Sequence, residues 1–499
     1  MDAWDVIVVG GGVAALRAAI AAHDGGATVI ILESGGTGSG GAGMACEGLS
    51  VSANETNSNN HADDIIQAGA GECDESVVRI RTASAFGHLA ELERWGLVLR
   101  RDEQGLPLLL SAPGHSEPRL ATTGDSTGRE IHTILEEQCI KRAISHRGDI
   151  QPLTLTLDGD SVSGMVCLDV QRGELVAMQA KSIVLATDGF QAAWNGDGVG
   201  SGDGGWLALD AGVALSATEM VAWNPLTMDS HGLSLPLSIL NDGASVRLAS
   251  GDDVAFASDA GLHAASVAIT SGEPCVLDAR ALDRGTEVWY SDTAERVNSR
   301  LGAPMDEAVI PLAPRVSTTL GGVPCDGSGS VLSVGGLYAA GDCANSGFHG
   351  ADLTGGDRLL EAVDGGSCAG TSAGDHASSA TFADGGSVDE ALSTSATTVA
   401  ALLHGNGGDI TRGSASQQLA DIMSDSMGMS RSGEALAAAA TQLEKLSAAE
   451  ISLSDSNPIM NTELVEVVRL QGLIRLAAAS VNAAAERHNS CGSHQRSDE

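Results

Sequence analysis

The residues best suited to chemistry lie at the start of the chain. Gly10, Gly12 and Ala15 form a GxGxxA signature between an apolar, β-branched run at 5–9 (DVIVV) and an Ala-rich stretch at 16–22 (LRAAIAA). A glycine at 10 permits a tight turn, and one at 12 lets the backbone approach a pyrophosphate. Ala15 lets a helix pack close to a strand. A helix opened by Val13 and Ala14 turns its N-terminal N–H groups toward phosphate charge. A second apolar run, 27–32 (ATVIIL), ends at Glu33, 23 residues past Gly10. An acid at that spacing accepts hydrogen bonds from ribose hydroxyls. Strand, glycines, helix, strand and acid in this order specify a dinucleotide site.

Two later segments bear on which dinucleotide. Residues 182–189 (SIVLATDG), which include Thr187, predict another buried strand ending in a tight turn. Residues 336–342 (GLYAAGD) predict a third, ending in Asp342. A carboxylate there can accept hydrogen bonds from the ribityl or ribose hydroxyls of a flavin, and a nicotinamide site has no need of such a returning strand. The elements that position these residues are therefore those of a parallel α/β sheet. The far end of the chain reads as helical: 434–446 is Ala/Leu-rich and 463–487 places apolar residues at helical spacing, with a turn-rich break at 452–458 between them. The small and polar stretches 371–386 and 404–408 predict exposed loops.

Composition narrows the function classes. The chain has 499 residues and carries 65 Asp and Glu against 27 Lys and Arg, a net charge of −38. Such a polyanion does not bind nucleic acid through phosphate contacts, nor an anionic membrane surface. Hydrophobic residues make up 43%, enough for a sizeable core. Only Lys141, Lys181 and Lys445 are lysines. At about 1 M salt the Debye length falls to about 3 Å, so this self-repulsion is screened away. Acid excess with so few lysines predicts a salt-adapted protein. Nine cysteines with no CxxC predict reduced thiols, no disulfide framework and no iron–sulfur ligand set, hence a cytoplasmic setting. No signal peptide is visible and no run of 18 apolar residues occurs, so membrane attachment is expected through a partner and not by direct insertion.

Further motifs follow in order along the chain: 114–119 (GHSEPR), 125–129 (DSTGR), 131–135 (IHTIL), 202–204 (GDG) with Ala208 and 211–213 (AGV), 321–324 (GGVP), 348–351 (FHGA), 355–361 (GGDRLLE), 461–464 (NTEL) and 490–498 (SCGSHQRSD). On these the chain resembles the succinate dehydrogenase/fumarate reductase flavoprotein family, which includes L-aspartate oxidase. The resemblance implies an α/β fold: a Rossmann-like FAD-binding domain in two parts (1–213 and 316–395), an inserted α+β capping domain (214–315) and a C-terminal helical domain (396–499). The small C-terminal domain of larger succinate dehydrogenase subunits is expected to be missing. The resemblance places FAD against Gly10, Gly12, Val13, Ala14, Ala15, Glu33, Ser34, Gly41, Gly48, Thr187, Asp203, Asp342, Arg358 and Leu359. Residues 40–48 hold no histidine for a covalent link, so FAD is expected to be non-covalent. Arg358 stands where relatives have serine; a cation near flavin N1 stabilises the reduced anion and raises the potential.

The family clamps a small dicarboxylate with His, Thr and Arg groups and passes a hydride between carbon and flavin N5, with an arginine handling the proton. Here Asn224 and Ser317 fall at its histidines, Leu262 and Leu353 at its arginines, and 240–244 (LNDGA) at its Thr–Glu turn. Arg315, two residues before Ser317, could supply a cation to a carboxylate from the same strand face. His263 could act as a proton donor, and His349 matches a family position; Arg247 and His231 lie in the capping segment. Three functions follow: a dicarboxylate oxidoreductase that passes electrons to an iron–sulfur partner on a membrane-anchored complex at the cytoplasmic face, an L-aspartate-oxidase-like flavoenzyme, and an FAD-binding subunit without turnover.

Overall fold

A computed structural model describes residues 2–35, 48–196, 199–228, 232–254, 261–282, 284–405 and 408–499. Strand β1 (Asp2–Val9) runs through the glycine loop into helix α1 (Val13–Asp24), and β2 (Val29–Leu32) returns parallel to β1, Val6 opposite Val29. Strand β3 (Ser145–Arg147) extends the sheet beyond β2. Strands β4 (Ile150–Asp158), β5 (Ser161–Asp169) and β6 (Glu174–Leu185) form an antiparallel meander. The end of β6 also lies parallel to β1, and β7 (Leu337–Ala339) joins β6 on its other side. The order is β3-β2-β1-β6-β5-β4, with β7 attached to β6, seven strands in all. Residues 6–9 and 29–32 are buried at every position. That is why their sequence is continuously apolar: a parallel strand covered on both faces has no solvent side.

Two expectations for strand ends need correction. The strand predicted at 182–189 begins at Glu174 and stops at Leu185, and the one predicted at 336–342 is only Leu337–Ala339. Thr187, Asp188 and Asp342 thus sit in the connections just past the strands, free of ladder hydrogen bonding. The loop expected at 371–386 is also corrected. Residues up to Ser379 continue a 23-residue helix, Asp357–Ser379, and only 380–385 connect it to the helix Gly386–His404. The small residues have a packing role. A Cβ on Gly366, Gly370 or Gly374 would press on the backbone of Ala14, Ala18 or Ala22 of α1. Glycines four apart on one helix thus seat alanines four apart on the other, and the two backbones approach closely. Of the stretch 404–408, residues 406–407 lie outside the described part.

Between the two halves of the nucleotide fold lies a separate core that includes Met220, Leu226, Ile239, Leu277, Tyr290 and Ile310. It is built on a three-stranded antiparallel sheet, Ser245–Leu248, Cys275–Asp278 and Val309–Pro311. Val221–Asn224 pairs antiparallel with Arg315–Thr319 where the chain leaves and re-enters this segment. The C-terminal part is helical: Arg412–Ser426, Gly433–Ala448 and Thr462–Glu486. Each is capped by a polar side chain, Thr411, Ser432 and Asn461, accepting a backbone N–H of its first turn. Among the described residues no helix is long and apolar enough to cross a membrane.

Candidate functional site

From β1 the chain steps to β2 on one side, and β6 flanks β1 on the other. In open α/β sheets a ligand crevice opens at such a reversal, outside the carboxyl ends of the strands. Four connections meet there: Gly10–Gly12 after β1, Glu33 and Ser34 after β2, Thr187 and Asp188 after β6, and Asp342 after β7. Gly10 adopts φ +125°, and a Cβ on it would overlap the Ala186 carbonyl. Gly12 differs: a Cβ there would meet nothing within 4 Å. It caps α1 with no side-chain hydrogen bond, so the helix N–H groups open onto clear space. Val13 and Ala14 begin the helix, and the fully buried Ala15 packs inward.

One of the sequence motifs braces this loop from behind, and another braces the turn that opens the helix Asp357–Ser379. His132, on the helix Thr127–Lys141, donates from Nε2 to the Gly11 carbonyl at 2.9 Å. His115 donates from Nε2 to the Gly355 carbonyl at 2.7 Å, fixing the turn before Asp357–Ser379. Gly48 packs against the same turn, since a Cβ on Gly356 would approach the Gly48 carbonyl and the Ser50 nitrogen. Asp357, fully buried, accepts from Ser50, Thr354 and His61, the last at 2.8 Å. Burial opposes the charge, but the His61 ring and these donors hold its carboxyl well below the ordinary range. Leu359 has its side chain in the core, so it can offer only backbone to a ligand.

The crevice is acidic. Glu33 lies beside Gly11, with Oε1 3.0 Å from His146 Nε2, an interaction that raises the imidazole pKa. Asp203 Oδ1 accepts from Ser201 at 2.9 Å and Trp206 Nε1 at 3.2 Å, and Oδ2 accepts from Gln151 at 3.3 Å and Ser34 at 3.4 Å. Thr187 Oγ1 accepts the Gly204 N–H at 2.8 Å. Asp342 and Arg358 form a bidentate ion pair, with Nε at 3.0 and 3.1 Å and the terminal nitrogen at 2.5 Å, each side chain 7% exposed. Asp342 thus compensates the charge of Arg358, the cation expected near flavin N1. The Asp188 carboxyl is pushed up to about 7, by burial first and then by Asp342.

Sequence reasoning missed Arg469, which reaches the crevice from Thr462–Glu486. It hydrogen-bonds Ser34 and stands 3.5 Å from Asp203. The available signal was a lone cation in the apolar stretch VVRLQGL. His146 and Gln151 gave no signal at all. Gly41 lies outside the described residues, as does His231.

The candidates for substrate chemistry are scattered. Leu262 and Leu353 are buried in the inserted segment's core, and the Leu262 N–H donates to the Leu353 carbonyl at 2.8 Å. Asn224 Oδ1 accepts the Leu226 N–H at 2.9 Å, and Ser317 Oγ donates to the Ala222 carbonyl at 3.2 Å. Arg315 is exposed and lies against Gly232. Arg247 is committed to Asp253 and Asp278. His263 is 4% exposed, and burial lowers its pKa to about 4, so at neutral pH it holds no extra proton to donate. Burial also lowers His349 to about 4.

Residues 5–359 match the FAD binding domain family, and 416–499 match the fumarate reductase flavoprotein C-terminal family. The 8-methylmenaquinol:fumarate reductase flavoprotein subunit of Wolinella succinogenes is 27% identical, with 99% of this chain and 86% of that protein covered. The L-aspartate oxidase of Streptomyces coelicolor is 30% identical over 99% of this chain and 89% of its own. Among solved structures, quinol fumarate reductase of E. coli superimposes with TM-score 0.94 at 23% identity, covering 100% of this chain and 92% of that one.

Proposed function

Because the chain belongs to the FAD-dependent succinate dehydrogenase/fumarate reductase flavoprotein family, which also holds L-aspartate oxidase, we propose that it transfers hydride between a small dicarboxylate and flavin N5. It is an FAD oxidoreductase of this family. The observation that carries the proposal is the crevice at the carboxyl ends of β1, β2, β6 and β7, where Gly12 leaves clear space before an uncapped helix and acids follow three of the four strands. FAD supplies a two-electron acceptor or donor when bound. Gly10, Gly12, Val13, Ala14 and Ala15 would cradle its phosphates; Glu33, Ser34, Asp203 and Asp342 would accept its sugar hydroxyls. Thr187, Gly48 and the backbone at Arg358 and Leu359 would line the flavin end, with the loop containing Gly41 completing the site. FAD is held without a covalent link, residues 214–315 act as the capping domain, and Arg315 is the cation offered to a substrate carboxylate. Electrons pass to an iron–sulfur partner, with a membrane-anchor subunit holding the assembly at the cytoplasmic face.

A second reading has a specific observation behind it. Leu262 and Leu353 bury apolar side chains where the family places arginines, which favours an FAD-binding subunit without turnover. The L-aspartate oxidase likeness supports a third. One experiment separates them. The protein is purified in molar salt, its FAD is read from the spectrum, and succinate or L-aspartate is added anaerobically. Bleaching by succinate is the expected result; bleaching only by aspartate gives the third reading. Intact FAD that neither bleaches gives the second.

A further inference from the structure

The crevice described above has an electrostatic difficulty. A dinucleotide brings two phosphate charges into a space bordered by Glu33, Asp188, Asp203 and Asp342. Arg358 is bound bidentately to Asp342, and His146 faces Glu33. Arg469 is placed differently. Its stem comes from Thr462–Glu486, 435 residues along the chain from Ser34, and its guanidinium is half-buried between Ser34 and Asp203. Its Nε is buried and makes no hydrogen bond. Asp203 does not depend on it, because Ser201, Trp206 and Gln151 already supply three neutral donors. The arginine can therefore turn its donors to an arriving anion without orphaning the carboxylate it now faces.

We propose that Arg469 is a cofactor-contact residue that binds the phosphate-bearing ADP half of FAD. The proposal rests on the FAD reading of the crevice. It makes the C-terminal helix part of the cofactor site: cofactor loading then requires that helix to be docked against β2 and the Asp203 turn. The contact belongs with the ADP half because Ser34 directly follows Glu33, the acid just past β2 that is spaced for the adenosine ribose. A guanidinium also suits the purpose in a salt-adapted protein, since a planar fork forms paired hydrogen bonds to phosphate and a half-buried pair is screened less than an exposed one.

The test is binding, not turnover. The full-length protein, stripped of flavin, is titrated in molar KCl with FAD and with riboflavin by fluorescence, and with ADP by competition. Wild type is compared with Arg469→Gln, Arg469→Lys and Arg475→Gln. Arg475 lies on the same helix but pairs with Asp210. Removing a charge-assisted contact should weaken FAD and ADP by about 10-fold or more, leave riboflavin unchanged, and be partly restored by lysine. Arg475→Gln should bind FAD as wild type does. Unchanged FAD affinity in Arg469→Gln overturns the proposal, as does an equal loss for riboflavin, which would mean a deformed site. Asp203→Asn supplies the remaining control. If the loss from Arg469→Gln vanishes in that background, the arginine merely compensates Asp203 and the proposal falls; if it persists, the contact is direct. A wild-type protein that takes up no FAD defeats the FAD reading itself, a result distinct from all of these.

Discussion

Replacing Arg358 by glutamine should separate a buried charge pair from the surface charge that dominates this protein. Asp342 and Arg358 are each 7% exposed and meet through contacts of 2.5 to 3.1 Å. Glutamine keeps much of the volume and removes the cation, leaving a carboxylate in a pocket it shares with Asp188. Breaking a buried pair from one side costs about 3–5 kcal/mol, because the remaining charge is uncompensated. At about 1.4 kcal/mol per decade that is two to nearly four decades in the folding equilibrium. Urea unfolding followed by circular dichroism in molar KCl should show a loss of that size, undiminished by the salt because the pair is buried. The double variant Asp342→Asn/Arg358→Gln should recover most of it. Arg129→Gln is the comparison: that ion pair with Asp292 is 49% and 40% exposed, so its loss should be under about 1 kcal/mol and vanish in salt. A loss no larger than that of Arg129→Gln, or a double variant as unstable as the single, would refute the reasoning.

Gly370→Ala and Gly12→Ala should fail in opposite ways. At 370 the new methyl would overlap the Ala18 backbone, so thermal unfolding should reveal a loss of about 1–3 kcal/mol, offset in part by better helix propensity. At 12 it meets nothing within 4 Å, so the melting temperature should hold while FAD affinity drops. Asp188→Asn should stabilise the flavin-free protein more at about pH 8 than at about pH 5. A carboxyl raised to about 7 in the folded state weakens folding progressively as pH rises from its unfolded pKa toward 7, and urea midpoints across that range check this. The melting temperature should rise from about 0.1 to about 2 M KCl; a flat curve would remove the salt-adaptation account of the −38 charge.

The sequence by itself determined the nucleotide half of the molecule. Residues 6–9 and 29–32 are apolar without interruption because both faces of those strands are covered, and burial on two faces leaves a mark in every residue. Gly10 and Gly12 are legible for a similar reason: turn geometry and close approach act on the residue itself, within a few positions of the elements it joins. The helical C-terminal part was likewise readable from its spacing. The stretch 371–386 was not, because a small residue such as Gly374 makes sense only against Ala22, more than 340 positions away. Only the tertiary structure decided that Arg358 is bound to Asp342, that His263 is buried at the edge of the inserted core, and that Arg469 arrives at the crevice from the far end of the chain. Periodicity and turn chemistry are local and so are written locally. A charge's partner is fixed by how the whole chain packs, and no window along the sequence contains it.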